Sequence, residues 1–542
     1  MVDWLVVFGA AALTLAGAAG DGYPRRPDLD VIAYRYDLTL SDSSDEIRMT
    51  ATVEFRFMAG GRADLGLDLV GTRSDGRGMT VDEVRDAAGP LSFTHRNDRL
   101  EIALRAPGAA GQLTRVVVRY HGIPAAALKI GPNRHGDRTF ASDNWPDLAR
   151  NWLVGIDHPY DKAMSEFVVT APAHYQVVSN GLLVEETDLA GGLRRTHWKQ
   201  SVPIATWLQT IGVARFAVEH SAPADGIPIQ AWVYPQDRDQ GFADFGGPTA
   251  AALRFYSERV GPYAYEKLAN IESTAAGGGM EAATAIGYTE RLIGTPRARE
   301  VIVHEIAHQW FGNTVTEADW DDVWLSEGFA TYFTLLFTEH DAGRDAFVAG
   351  LERSRATVLA YDSAHPGYRV VHDGLRDMKQ VTSSQTYQKG AWTLHMLRGI
   401  VGTETFWRGI REYYRRFRNG NATTDDFRRV MEETSGLELD WFFRQWLTRS
   451  GAPVIRGRWR FDAGAGKVIL SLEQTQPGEP FRVPLEIGLR DRADGPLRIE
   501  RIELQGGSGR FEFAAERPPA AVALDPNFTV LMTAVLTPDG AR

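Results

Sequence analysis

The chain has 542 residues, 44% hydrophobic and 24% charged, a globular composition that excludes a disordered or fibrous protein. Its 70 acidic and 59 basic residues leave a net charge of −11, which argues against nucleic acid as the main partner because a phosphate-binding face normally needs clustered Lys and Arg. The sequence has no cysteine, so disulfides, thiolate metal sites and cysteine nucleophiles are ruled out, and any metal must be held by His, Asp or Glu.

Residues 4–20 read WLVVFGAAALTLAGAAG and are followed at once by the polar DGYPRRPD. Ala16-Gly17-Ala18 supplies a small-x-small cleavage signature, so residues 1–20 are expected to be a signal peptide and the protein secreted or periplasmic. The segment carries Asp3 and no Lys or Arg, which keeps two alternatives open. One is an uncleaved membrane anchor with the rest of the chain outside the cytoplasm; the other is a start that truncates the basic region. No other apolar run approaches spanning length.

Short alternating segments follow at 48–58, 114–120, 166–170 and 175–184, predicting an N-terminal antiparallel β domain over residues 21–220. Near residue 240 the period becomes helical. Stretches 243–260, 297–313, 323–339, 384–401 and 425–433 carry apolar residues at three- and four-residue spacing, predicting a mostly helical domain over 221–449. Ser450-Gly451-Ala452-Pro453 reads as a linker, and returning strands predict a β-sandwich over 450–542. The fold class is multidomain α+β.

Within the helical part stands His304-Glu305-Ile306-Ala307-His308. Four steps of about 100° bring the second imidazole only ~40° round from the first, so both rings share one helix face and can share one ion. A catalytic site uses three protein ligands and leaves one position for water. Glu327, 19 positions after His308, is spaced to return on a second helix as the third ligand. This pattern with a Glu at one fixed later position arises by chance in about one of a thousand such chains. A divalent ion held there acidifies water and polarises a carbonyl, with Glu305 placed to accept the proton without ligating.

These residues resemble the M1 family of zinc aminopeptidases, of the gluzincin group. The resemblance rests on His304 through Asn313 (HEIAHQWFGN) and on Trp324 through Tyr332 (WLSEGFATY). It implies a thermolysin-like catalytic domain, one Zn²⁺ per chain on His304, His308 and Glu327, and peptides as substrates. Gly278-Gly279-Met280-Glu281-Ala282 resembles the family's exopeptidase motif, which implies that Glu281 binds the substrate's α-amine and that Gly278, Gly279 and Met280 line the substrate. Tyr387, in Tyr387-Gln388-Lys389-Gly390-Ala391, resembles the tyrosine that stabilises the oxyanion. Asp143 matches the position of a second amine anchor, and Asp322 is a candidate partner for the free nitrogen of a ligand histidine.

The sequence departs from the family in places. Ala282 stands where the motif has Asn, which leaves open an endopeptidase with a relaxed amine requirement. Many members append a large helical domain after the β domain, so the cleft here is expected to be more open unless a homodimer covers it. A non-catalytic scaffold and an epoxide hydrolase are the remaining alternatives. The sequence shows no charged determinant for the side chain of the cleaved residue.

Overall fold

A computed structural model describes residues 20–539. The apolar segment read as a signal peptide or anchor lies outside them up to residue 19.

Alternation builds the first region. Strand Ile47–Phe57 buries every second residue from Ile47 to Phe57, presenting one apolar face. An eight-stranded sheet runs Leu182–Leu189, Leu193–Ile204, Ala163–Pro172, Leu29–Thr39, Ile47–Phe57, Leu113–Ile123, Gly78–Asp86 and Gly89–Pro90. Its neighbours are antiparallel except Leu29–Thr39 beside Ala163–Pro172, where Ala33 pairs with Met164 in parallel register. Two smaller sheets share its core. The Tyr36 and Tyr120 hydroxyls, buried there, donate to the carbonyls of Val154 (3.1 Å) and Trp152 (3.0 Å), so the rings are buried without stranding a polar atom. The stretch 175–184, expected to be one strand, is two strands in different sheets, Gln176–Ser179 and Leu182–Leu189. Between them the Asn180 amide donates to the carbonyls of Leu208 (2.9 Å) and Ala283 (2.6 Å), which fixes the break.

The next region opens on a five-stranded sheet that periodicity did not reveal. Its order is Ala217–Ala224, Ile227–Val233, Leu268–Ser273, Ala285–Thr289 and the edge strand Gly279–Met280. All six residues of Leu268–Ser273 are buried, so it shows no alternation to read. Helices α1 (Arg238–Arg259), α2 (Ala298–His308), α3 (Trp324–Ala342), α4 (Arg344–Ala364), α5 (Gly390–Val401), α6 (Thr403–Phe417) and α7 (Thr424–Ser435) form most of the rest, with a short parallel pair of strands, Val315–Glu317 and Gly420–Ala422. Of these, α4 and α6 are additional to the expected helices.

The C-terminal region is two facing sheets. One has the order Ser508–Ala514, Lys467–Gln474, Val454–Asp462, Thr533–Pro538; the other has Arg498–Gln505, Arg482–Arg490, Ala521–Leu524. One contiguous core runs from Ile204 through the helices to Met532 in the C-terminal region. The N-terminal core takes in Ala269, Ile271 and Ala285, so it meets the helical region across that region's own sheet. The architecture is multidomain α+β, as expected.

Candidate active site

Two helices carry the histidines and Glu327. α2 buries Ile302, Val303, Ile306 and Ala307 on its core side. It ends at His308, and the chain returns as α3. Phe311 packs against Phe329 and Phe333 with ring centroids 4.8 and 4.6 Å apart, locking the turn onto α3.

His304 Nε2, His308 Nε2 and Glu327 Oε2 then form a triangle with edges of 3.1, 3.3 and 3.5 Å. Ligand atoms about 2.0–2.1 Å from a tetrahedral ion stand about 3.3–3.4 Å apart, so these three atoms fit zinc. Among the described residues Glu327 Oε2 is buried without a hydrogen-bond donor, which leaves its lone pairs for a cation. His308 Nδ1 lies 3.1 Å from the Phe311 carbonyl, which can only accept, so Nδ1 carries a proton, and in the neutral ring, the form that can ligate a metal, the Nε2 lone pair faces the triangle. Ser326 Oγ adds a second contact to Nδ1 at 3.0 Å. A second group of possible ligands, Glu281, Glu305 and His308, lies alongside.

The electrostatic field at this point favours a cation. Burial opposes ionisation at both partners, yet Glu281 and Glu327 hold His308 up at about 10. The histidines in turn hold Glu327 down at about 2. Charges that draw a proton this strongly draw a divalent ion as well.

Glu305, beside the triangle, is pushed well above the usual carboxylate range by burial and then by Glu281. A buried carboxyl that binds protons readily is suited to general-base work. The edge strand lies directly on it: a Cβ on Gly279 would stand 2.0 Å from Glu305 Oε1, so only glycine fits there. The Gly278 carbonyl accepts from Thr289 N at 2.7 Å, and buried Met280 pairs with Gly287. The strand therefore presents Gly278 to the open side and Glu281 inward. The Glu281 carboxylate is buried, lies 3.8 Å from His308 Nδ1, and has no donor on Oε1 among the described residues. Burial raises its pKa to about 7. Asp143 follows strand Arg138–Ser142, and burial raises its carboxyl to about 6. Its charge adds to the upward shifts of both Glu281 and Glu305.

Tyr387 sits in a single π-helical turn, Gln385–Lys389, leading into α5. Its hydroxyl donates to Glu327 Oε1 at 2.7 Å, so it stands one hydrogen bond from the triangle. A glycine contact makes this approach possible. A Cβ on Gly328 would stand 3.0 Å from Gly390 Cα, so α3 and α5 touch backbone to backbone beside Glu327 and Tyr387. The structure thus brings together all the residues singled out in the sequence except Asp322. The Asp322 carboxylate accepts from Thr424 Oγ1 at 2.5 Å, and the Phe311 carbonyl and Ser326 take the ligand-histidine role expected of it at His308. Sequence reasoning also gave no role to Gln309 and Asn313, whose amides both donate to the Glu281 carbonyl, at 3.0 and 2.6 Å. Their place inside the HEIAHQWFGN stretch was the available signal.

Two family models match the chain: the peptidase family M1 domain over residues 248–446 and the peptidase M1 N-terminal domain over residues 120–208. The chain belongs to peptidase family M1, whose members depend on zinc. It is similar to glutamyl aminopeptidase of Mus musculus, 28% identical over 64% of this chain and 38% of the relative. Glutamyl aminopeptidase of Sus scrofa is 30% identical over 58% of this chain and 35% of its own length. Aminopeptidase M1-A of Oryza sativa subsp. japonica is 28% identical over 61% and 38%. The chain spans little more than a third of the length of these curated relatives. Among the described residues no helix is long and apolar enough to cross a membrane.

Proposed function

We propose that the chain is an aminopeptidase that removes N-terminal residues from peptides, with one zinc ion held by His304, His308 and Glu327. When bound, the ion supplies Lewis acidity, acidifying water and polarising the scissile carbonyl. Glu305 takes the proton of the attacking water and delivers it to the leaving amine. Tyr387 turns its hydroxyl from Glu327 to the oxygen on which negative charge develops. Glu281, assisted by Asp143, pairs with the substrate's α-ammonium and so fixes the scissile bond one residue from the N-terminus. A blocked or internal peptide leaves those carboxylates buried and unpaired, which disfavours it. Gly278, Gly279 and Met280 let the substrate main chain lie along the edge strand.

The reading is carried by the placement of the buried Glu281 carboxylate beside a triangle of zinc-compatible ligand atoms. It assigns residues 21–220, 221–449 and 450–542 to three domains, with catalysis in the second. The apolar segment before residue 20 supports export, so the proposed site of action is outside the cytoplasm. A panel of aminoacyl-coumarin substrates with acetylated controls tests the reading. Cleavage of the free-amine series alone is expected; equal cleavage of acetylated or internal bonds would replace it with an endopeptidase.

A further inference from the structure

Lys162 immediately precedes strand Ala163–Pro172 of the N-terminal sheet, but its side chain ends in the helical region. Its Nζ lies 3.0 Å from the Asn313 carbonyl, 3.1 Å from that of Thr314 and 3.1 Å from that of Gly420. Three carbonyl acceptors match the three N–H donors that only the ammonium form has. Asn313 and Thr314 form the turn that leaves the HExxH helix, and Gly420 opens the short strand paired with Val315–Glu317. Glu317 lies inside this knot, buried, with both carboxylate oxygens free of hydrogen bonds among the described residues. Burial lowers the Lys162 ammonium to about 7, a shift that Glu317 opposes, and burial raises Glu317 itself to about 8, so the lysine is held by its three carbonyl acceptors rather than by an ion pair.

Asn313 carries the connection onward. Its main-chain oxygen receives Lys162, and its buried side-chain amide donates to the Glu281 carbonyl at 2.6 Å. Glu281 Oε1 has no hydrogen-bond partner among the described residues, so apart from its 3.8 Å approach to His308 Nδ1 the carboxylate is placed by contacts of its main chain.

We propose that Lys162 is a positioning residue for Glu281, acting through Asn313, so that recognition of the substrate's ammonium requires the N-terminal β region to be docked. This inference rests on the aminopeptidase reading above. A shift of about 1 Å in such a group costs up to ~10²-fold in rate, so a remote lysine can control it.

The test compares two inhibitors by binding calorimetry on the zinc-loaded full chain: leucine hydroxamate and its des-amino analogue, 4-methylpentanoyl hydroxamate. Both report on the metal pocket, and only the first reports on amine recognition. Wild type is expected to bind the amine-bearing compound more tightly. In Lys162→Met, and in Asn313→Ser, that preference is expected to shrink about tenfold, with des-amino affinity and zinc content unchanged. Lys162→Gln, which keeps a donor on a shorter stem, is expected to fall between. Equal weakening of both compounds, no change in either, or loss of folding in all three variants would make the role structural and overturn the inference. A wild type with no preference for the amine would instead overturn the Glu281 reading, and this inference with it.

Discussion

His304, His308 and Glu327 come from two helices packed side by side, whereas Glu281, Asp143 and Tyr387 come from the end of an edge strand, a loop of the N-terminal region and a π-helical turn. The first group is fixed by helix geometry: two residues one turn apart and a third returning alongside. The second is fixed by tertiary contacts, including the Gln309 and Asn313 amides on the Glu281 carbonyl and the glycine contact beside Tyr387. The difference teaches where each function is vulnerable. Under the proposed assignment, metal binding is buffered by the helices that carry it, while substrate recognition depends on how separate regions dock.

Substitutions can break this comparison. The largest effect is expected at Glu305. Glu305→Gln should lower kcat by ~10²–10⁴-fold with zinc content unchanged, because the base is lost and the triangle is not. Loss of zinc in that variant would show that Glu305 belongs to the metal half after all. Next comes Tyr387→Phe, expected to lower kcat by about 10²-fold and to change KM little, as befits a donor used in the transition state. A variant that mainly raised KM would place the hydroxyl on the ground-state substrate.

Glu281→Gln keeps the shape and removes the charge. It should lower kcat/KM for free-amine substrates by roughly 10–100-fold, the cost of an unpaired buried ammonium, and leave des-amino inhibitors unaffected. A parallel loss on both would merge the two halves of the site into one.

A stability effect, with no direct bearing on turnover, tests the N-terminal region on which the anchor half leans. Asp161, next to Lys162, is buried with Oδ1 unpartnered among the described residues, and burial raises its carboxyl to about 8. A raised folded pKa favours the native state at low pH, and that contribution is lost as pH climbs from the ordinary aspartate range to about 8. Asp161→Asn removes this dependence. Its stability relative to wild type should therefore grow with pH in urea unfolding, by up to ~1.4 kcal/mol per pH unit in that window. An equal difference at pH 5 and pH 8 would show that Asp161 is already ionised in the folded chain.

The same contrast explains what could be read from the sequence. The metal triad was legible because its spacing is local and helical, as was Ile47–Phe57 because one face is buried and the other wet. Leu268–Ser273 was not, since a strand buried on both faces carries no alternation. Tyr387 and Glu281 could be named only through a resemblance, because no local period connects them to His304. Asp322 was misplaced for a related reason. Its rivals for the second histidine nitrogen were a main-chain carbonyl and a serine hydroxyl, Phe311 and Ser326, and carbonyls leave no signature in sequence.

The central claim is that one zinc ion sits on the two imidazoles and the α3 carboxylate. Anomalous diffraction at the zinc edge, on crystals of active protein, tests it most directly. The expected result is a single peak about 2.0–2.2 Å from His304 Nε2, His308 Nε2 and a Glu327 oxygen. A peak held instead by Glu281 and Glu305, or active protein with no zinc peak at all, would contradict it.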